Sequence, residues 1–97
     1  MSMKDIDFSS SVWVSDRVIA KRLEDEMVLL DLASENYFGL NDVATAMWHE
    51  LTNSDTIGVA YESLLEQYDV EPETLRADLE SLLRQLVESR IVELRVT

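Results

Sequence analysis

The sequence predicts an α+β domain in which a three-stranded antiparallel sheet is followed by three helices. The main observation is that the hydrophobic period changes from about two residues in the first half to about 3.6 in the second half. Residues 28–51 also divide into a strand, a short polar turn, a second strand and an amphipathic helix, with no residue left over. Asn41 stands where a helix N-cap belongs, and Asp42 follows in the first turn, near the positive end of the helix dipole.

The N-terminal segment is expected to precede the domain proper. Residues 1–11 are mostly polar and predict a flexible N-terminal arm, held to the rest by Phe8, ahead of a single domain over residues 12–97. Residues 12–14 are apolar and suit either a short strand or an anchor.

The predicted sheet is a meander. Residues 17–23 alternate in polarity and predict the first strand, and an acidic turn leads into a hairpin of residues 28–32 and 37–40. Tyr37 and Phe38 are neighbours on a strand and must point to opposite faces. One of the two is therefore expected in the core and the other at the surface.

The second half reads as three helices and a last strand. The first helix is predicted over residues 42–52, and Asp55 or Thr56 is expected to cap the second. Pro72 suits the first turn of a third helix that ends near residue 89, because the N–H it lacks would be unpaired there. Residues 91–96 alternate and predict a short strand. The third helix has an inner stripe of Leu75, Leu79, Leu82, Leu83 and Leu86.

The charge balance excludes several classes of partner. Eight basic residues against 20 acidic ones give a formal charge of −12, which opposes binding to nucleic acid or to an anionic membrane. No apolar run approaches the roughly 18 residues of a membrane span, and no signal for export precedes the domain. The cytoplasm is the expected compartment.

The residues offer little catalytic or metal-binding chemistry. Cysteine is absent and His49 is the single histidine, so neither a zinc site nor a catalytic triad is expected. Gly39 and Gly58 are the two glycines, too few for a loop that cradles phosphate. The carboxylates suit a solvated surface better than a pair for acid–base catalysis. We therefore predict no catalytic residues, no metal and no cofactor.

The residues that carry a family resemblance occur in a fixed order: 29–32, 37–41, Trp48, 68–70, Asp78, Leu82, Leu83 and Leu86. This ordered series resembles the PqqD family of peptide-recognition proteins over about residues 18–92. Two departures concern glycine, which the family often has in the hairpin turn and near the end of the third helix. This chain has Glu35 and Asn36 in the turn, and Arg90 after the helix. Asparagine tolerates the left-handed backbone better than most residues.

The resemblance implies a winged-helix-like domain that is not an enzyme. It implies binding of the leader segment of a ribosomally made precursor peptide, which adds as a strand to the third predicted strand, beside the third helix. The strand edge would be supplied by Asn36, Tyr37, Phe38, Gly39 and Leu40. The helix wall would be supplied by Leu75, Arg76, Asp78, Leu79, Leu82 and Leu83. Leu75 and Leu83, near the ends or edge of the stripe, suit a groove, whereas Leu79 and Leu82 suit the core first. Asp78 suits either a hydrogen-bond acceptor for the leader or a solvated helix residue.

Two partner systems fit the resemblance, and the first of them is the one expected. One is the leader peptidase and cyclase of a lasso-peptide pathway, and the other is a radical SAM enzyme. A winged-helix regulator or antitoxin would need a basic recognition helix. The third helix instead balances its charges. A dimerising adaptor, in which the same strand edge pairs with its twin, also stays open. The balanced charges are Arg76, Arg84 and Arg90 against Asp78, Glu80 and Glu88.

Overall fold

A computed structural model describes residues 6–96, which form five strands and three helices. The first half contains β1 (Ser10–Val14), β2 (Val18–Leu23), β3 (Glu26–Asp31) and β4 (Tyr37–Leu40). The second half contains α1 (Asp42–Asn53), α2 (Ile57–Gln67), α3 (Pro72–Glu88) and β5 (Val92–Val96).

The predicted meander is confirmed as the antiparallel sheet β2–β3–β4. Both of its hairpins turn through a glutamate with left-handed backbone, Glu24 with φ 59° and Glu35 with φ 63°. In the second hairpin the left-handed residue is Glu35, not its neighbour Asn36. The Glu35 N–H donates back to the Asp31 carbonyl at 2.7 Å, while the Asn36 carbonyl accepts from the Asp31 N–H at 2.8 Å and begins the β3–β4 ladder.

A second, two-stranded sheet joins the two ends of the described chain. β1 pairs antiparallel with β5, so that Ser10 lies opposite Val96 and Val14 lies opposite Val92. The sequence suggested a strand at both places but not that the two strands pair. This small sheet lies against the helices, because β1 contacts α1 and α2 while β5 contacts α3.

Residues 6–11 pack against the domain, which corrects the expectation of an arm over this stretch. The side chain of Ile6 is buried. The Phe8 ring meets Tyr61 edge-on with 5.6 Å between ring centroids, as the expected anchoring role of Phe8 requires. The Phe8 carbonyl accepts from the Gly58 N–H at 2.7 Å, and a Cβ at Gly58 would lie 3.2 Å from that carbonyl oxygen. Residues 1–5 of the predicted arm lie outside the described residues.

The helix boundaries follow their local signals. The Asn41 side chain accepts from the Ala44 N–H at 2.8 Å, and the Thr56 side chain accepts from the Val59 N–H at 3.2 Å, so each acts as the N-cap of its helix. Pro72 begins α3 as predicted. Arg90 follows α3 with φ 62°, in the left-handed conformation that a glycine usually takes after a helix.

The core lies between the three helices and the inner face of the β2–β3–β4 sheet. Phe38 turns inward and packs against it, whereas the Tyr37 side chain is 76% exposed, as the alternation along a strand requires. No helix within residues 6–96 is long and apolar enough to cross a membrane. Completely or almost completely buried side chains are Leu29, Leu51, Ile57, Leu64, Leu79, Leu83 and Leu86.

Candidate functional site

The outer edge of β4 is a free strand edge within the part of the chain that the structure describes. β4 pairs with β3 on one side, in a register that sets Leu29 opposite Phe38 and Val28 opposite Gly39. The bond from the Asp31 N–H to the Asn36 carbonyl fixes which residues bond inward. Because bonding alternates along an antiparallel pair, the backbone groups of Tyr37 and Gly39 point away from the sheet.

The free edge is also sterically open. Gly39 has no atom within 4 Å of the position where a Cβ would stand, and Tyr37 is largely exposed. The inner-face neighbours, Phe38 and Leu40, hold β4 against the core. Two outward N–H and two outward C=O groups are therefore presented by a strand that is anchored from behind.

A groove runs between this edge and α3, and we call it the β4–α3 groove. Its first part has a volume of about 350 Å³ and is lined by Phe38, Gly39 and Leu40 on one side and by Asp78 and Leu82 on the other. Its second part, of about 380 Å³, continues past the α3 C-terminus. Phe38 lines both parts. The remaining residues of the second part are Asp31, Glu35, Asn36, Tyr37, Ser89 and Ile91.

The charged side chains that line the groove are all acidic: Asp31, Glu35 and Asp78. The pKa of the Asp31 carboxyl lies below its ordinary value, because its oxygen accepts from the Ala33 N–H at 2.9 Å and from Arg17 Nε at 3.3 Å. It is therefore ionised at neutral pH. The groove consequently favours a segment that brings hydrogen-bond donors or a positive charge.

The structure brings together most of the predicted strand residues and part of the predicted helix wall. The edge residues 36–40 line the groove, and so do Asp78 and Leu82. Arg76 is not brought there. It lies about 200° around α3 from Asp78, where its guanidinium stacks over the Phe8 ring at 4.1 Å and its Nε lies 3.8 Å from Glu80.

Three predicted leucines of the helix wall belong to the core instead. Leu79 and Leu83 are 0% exposed and Leu75 is 7% exposed, and none of them lines the groove. The expectation that Leu83 stands at the groove edge is therefore wrong. Leu83 and Leu79 lie four residues apart on the same helical face, and both side chains are completely covered.

The sequence did not single out several residues that line the groove. Ser81 and Gln85 extend from Asp78 along one face of α3, at spacings of three and four residues. That spacing could be seen in the sequence, but serine and glutamine on a helix do not by themselves indicate a binding site. Three further lining residues come from α1: Val43, Ala44 and Met47.

The described residues show no site suited to a metal. No group of three or more histidine, aspartate or glutamate side chains within residues 6–96 is arranged to hold one. What the geometry offers is a strand edge, an apolar floor and an acidic wall. A small α+β domain with a free strand edge beside a groove is of the class that can recognise extended peptides by strand addition.

Comparison with known proteins identifies the family. The sequence profile of the family described as Coenzyme PQQ synthesis protein D (PqqD) matches residues 26–92, which contain β3, β4 and all three helices. The chain belongs to the PqqD family, as its sequence suggested. A comparison with curated proteins returned no match.

Two solved structures share the fold. One is TbiB1 in complex with the TbiA(beta) leader peptide, which is 31% identical and has a TM-score of 0.77, with 84% of this chain and 94% of that chain covered. The other is lasso peptide synthetase B1 complexed with the leader peptide, at 24% identity and a TM-score of 0.76, with 86% and 98% covered.

Proposed function

We propose that this protein is a non-catalytic recognition protein that binds the leader segment of a ribosomally made precursor peptide. The leader adds as a strand to β4 and lies in the β4–α3 groove. The observation that carries the proposal is the pair of outward-facing backbone units at Tyr37 and Gly39, on an edge that opens onto a groove. The similarity to TbiB1, whose structure holds a leader peptide, supports it.

The two sides of the groove have different tasks. Backbone hydrogen bonds at Tyr37 and Gly39 can form with any extended chain and supply affinity. Pockets for alternate side chains supply specificity. Phe38 and Leu82 form an apolar floor for one leader side chain. Asp78, exposed on the α3 wall, accepts a hydrogen bond or an ion pair from a leader residue that carries a donor.

The bound leader is presented to separate modifying enzymes, of which a lasso-peptide leader peptidase and cyclase are our first choice and a radical SAM enzyme the second. The neighbours that carry leader peptides favour the first. The protein acts in the cytoplasm, where the precursor is made. Self-pairing through β4 would compete with the leader, so any homodimer formed by that edge must dissociate on binding.

The test is fluorescence polarisation with labelled synthetic leaders taken from short open reading frames beside this protein's gene. A scrambled leader of the same composition and a labelled DNA duplex are the controls. Saturable binding to one leader but to neither control is expected. Salt-sensitive binding to the duplex would favour the regulator reading, and equal binding to the scrambled leader would reject a sequence-specific groove.

A further inference from the structure

A second cleft lies on another face of α3 than the β4–α3 groove. It has a volume of about 760 Å³ and lies between the C-terminal half of α3 and the β1–β5 sheet. Arg84 and Val87 line it from α3, roughly 95° and 155° around the helix from the row formed by Asp78, Ser81 and Gln85. The two depressions therefore use different faces of one helix.

The cleft gathers positive charge in an acidic protein. Four of the chain's eight basic residues line it: Arg17, Arg84, Arg90 and Arg95. The carboxylates in its lining are Asp7 and Glu93, so the lining has a balance of +2 in a chain with a formal charge of −12. We call it the arginine cleft.

Two of these arginines have no acidic partner among the described residues. Arg17 is bound to Asp31 at 3.3 Å, and Arg95 lies 3.2 Å from Glu93 and stacks over the Trp13 ring. Within residues 6–96, no ion pair within 4.0 Å forms at Arg84 or Arg90.

The unpaired arginines stand in places that favour an incoming anion. Arg84 is half-buried, lines the cleft and forms no ion pair among the described residues, so it is available to a carboxylate from an incoming segment. Arg90 lines the cleft and takes the left-handed backbone at φ 62°, where glycine fits with less strain. This chain thus has an arginine at a cleft position where the backbone favours glycine. A residue kept in a less favoured backbone conformation is a candidate for a functional side chain.

We propose that the arginine cleft binds an acidic peptide segment of a partner protein. Guanidinium groups bind carboxylates through two parallel hydrogen bonds, so several arginines suit a segment with repeated carboxylates. Val87, Leu94 and the half-exposed Trp13 ring also line the cleft and suit apolar side chains between those carboxylates. A bare phosphate ion would use the arginines but not this apolar surface.

The two sites select segments of opposite charge. The β4–α3 groove is lined by acidic side chains and the arginine cleft by basic ones, so a segment suited to one is repelled by the other. They use different faces of α3 but adjoin at one end, where Arg17 of the cleft lining binds Asp31 of the groove lining at 3.3 Å. The cleft proposal stands on its own charges and does not require that the groove bind a leader.

The experiment uses the full chain and a fluorescein-labelled octapeptide of alternating glutamate and leucine, followed by polarisation at low ionic strength. A lysine–leucine octapeptide and unlabelled inorganic phosphate are the comparison probes. We expect saturable binding of the acidic peptide, no binding of the basic peptide at the cleft, and little displacement by phosphate at equal concentration.

The deciding variant is Arg84→Gln combined with Arg90→Gly, which removes two positive charges and leaves a residue that accepts the backbone at position 90. Its matched control is Arg22→Gln with Arg76→Gln, which removes the same charge from residues outside the cleft. We expect at least a tenfold weaker affinity in the first variant and less than a twofold change in the control.

Three outcomes would overturn the proposal: equal losses in both variants, no saturation with the wild-type chain, or full displacement by phosphate, which would make this an anion site only. Circular dichroism checks that both variants are folded. Arg90→Gly alone provides a second folded variant if Arg84→Gln destabilises the domain, and its affinity must also fall. Leader binding should be unchanged in all these variants, so failure here is distinguishable from failure of the groove.

Discussion

Replacing Gly39 with proline removes one outward N–H from the β4 edge and tests whether the leader adds as a strand to β4. The N–H of Gly39 points away from β3 in the observed register, so the substitution leaves the β3–β4 ladder intact. Proline is tolerated on an edge strand when the lost N–H faces outward. The variant should therefore fold.

The expected loss of leader affinity is about 2 kcal/mol. One net backbone hydrogen bond is worth about 0.5–1.5 kcal/mol, and a leader carbonyl left buried without a donor costs about 1–3 kcal/mol. A loss of about 2 kcal/mol corresponds to roughly a thirtyfold higher Kd, which polarisation with the labelled leader measures directly.

Two matched controls separate the hydrogen bond from other effects. Gly39→Ala keeps the N–H, and because no atom lies within 4 Å of the added Cβ, its affinity should change by less than about threefold. Ala20→Pro removes an outward N–H from the other free edge of the same sheet. The Arg17 carbonyl accepts from the Leu32 N–H, so Arg17 bonds toward β3, and because bonding alternates along the strand, the N–H of Ala20 points outward. Unchanged affinity in folded Gly39→Pro, or an equal loss in Ala20→Pro, would refute addition at β4.

Three further variants test the fold and its pH dependence. Leu83→Ala should destabilise the domain by about 2–5 kcal/mol and lower its Tm by roughly 10 °C or more. The control is Leu23→Ala, at a half-exposed site, which should change the free energy of unfolding by less than about 1 kcal/mol. Equal effects of the two variants in thermal melts would contradict the burial of Leu83. Asn41→Ala should cost about 1 kcal/mol in denaturant unfolding through loss of the α1 cap, and an unchanged midpoint would mean that the cap bond contributes nothing. Since folding lowers the pKa of Asp31, the ionised carboxylate stabilises the domain above the unfolded-state pKa, and this stabilisation is lost as the pH falls below about 4. Asp31→Asn should therefore flatten the dependence of the free energy of unfolding on pH in that range. An unchanged acid slope in the variant would reject the assignment.

Local signals in the sequence were enough to predict the meander, the helices and their caps. Asn41 as a cap and Pro72 at a helix start each act on neighbouring residues, so no tertiary information is needed to read them. The pairing of β1 with β5 could not be read in this way. Alternation at residues 91–96 indicates a strand but not its partner, which lies at the other end of the described chain.

The candidate site could likewise be predicted only in part from the sequence. The strand edge was predicted from the resemblance to the PqqD family, but the groove wall depended on which face of α3 is covered by neighbouring elements. Leu82 and Leu83 adjoin in the sequence, and both are buried, yet Leu82 alone of the two lines the groove. A stripe of five leucines covers a wide arc of the helix, and only the packing of the other elements shows which side of that arc meets the strand edge.

The β1–β5 sheet has a consequence for the order in which the chain folds. Its paired residues, such as Ser10 and Val96, are separated by almost the whole described chain, whereas each hairpin of the β2–β3–β4 sheet closes over a few residues. Closing a loop of that length costs about 4 kcal/mol of chain entropy before any contact is gained. We expect the small sheet to form last and to open first, so the arginine cleft that it walls would appear and disappear with the pairing of the two chain ends, while the strand edge at β4 persists.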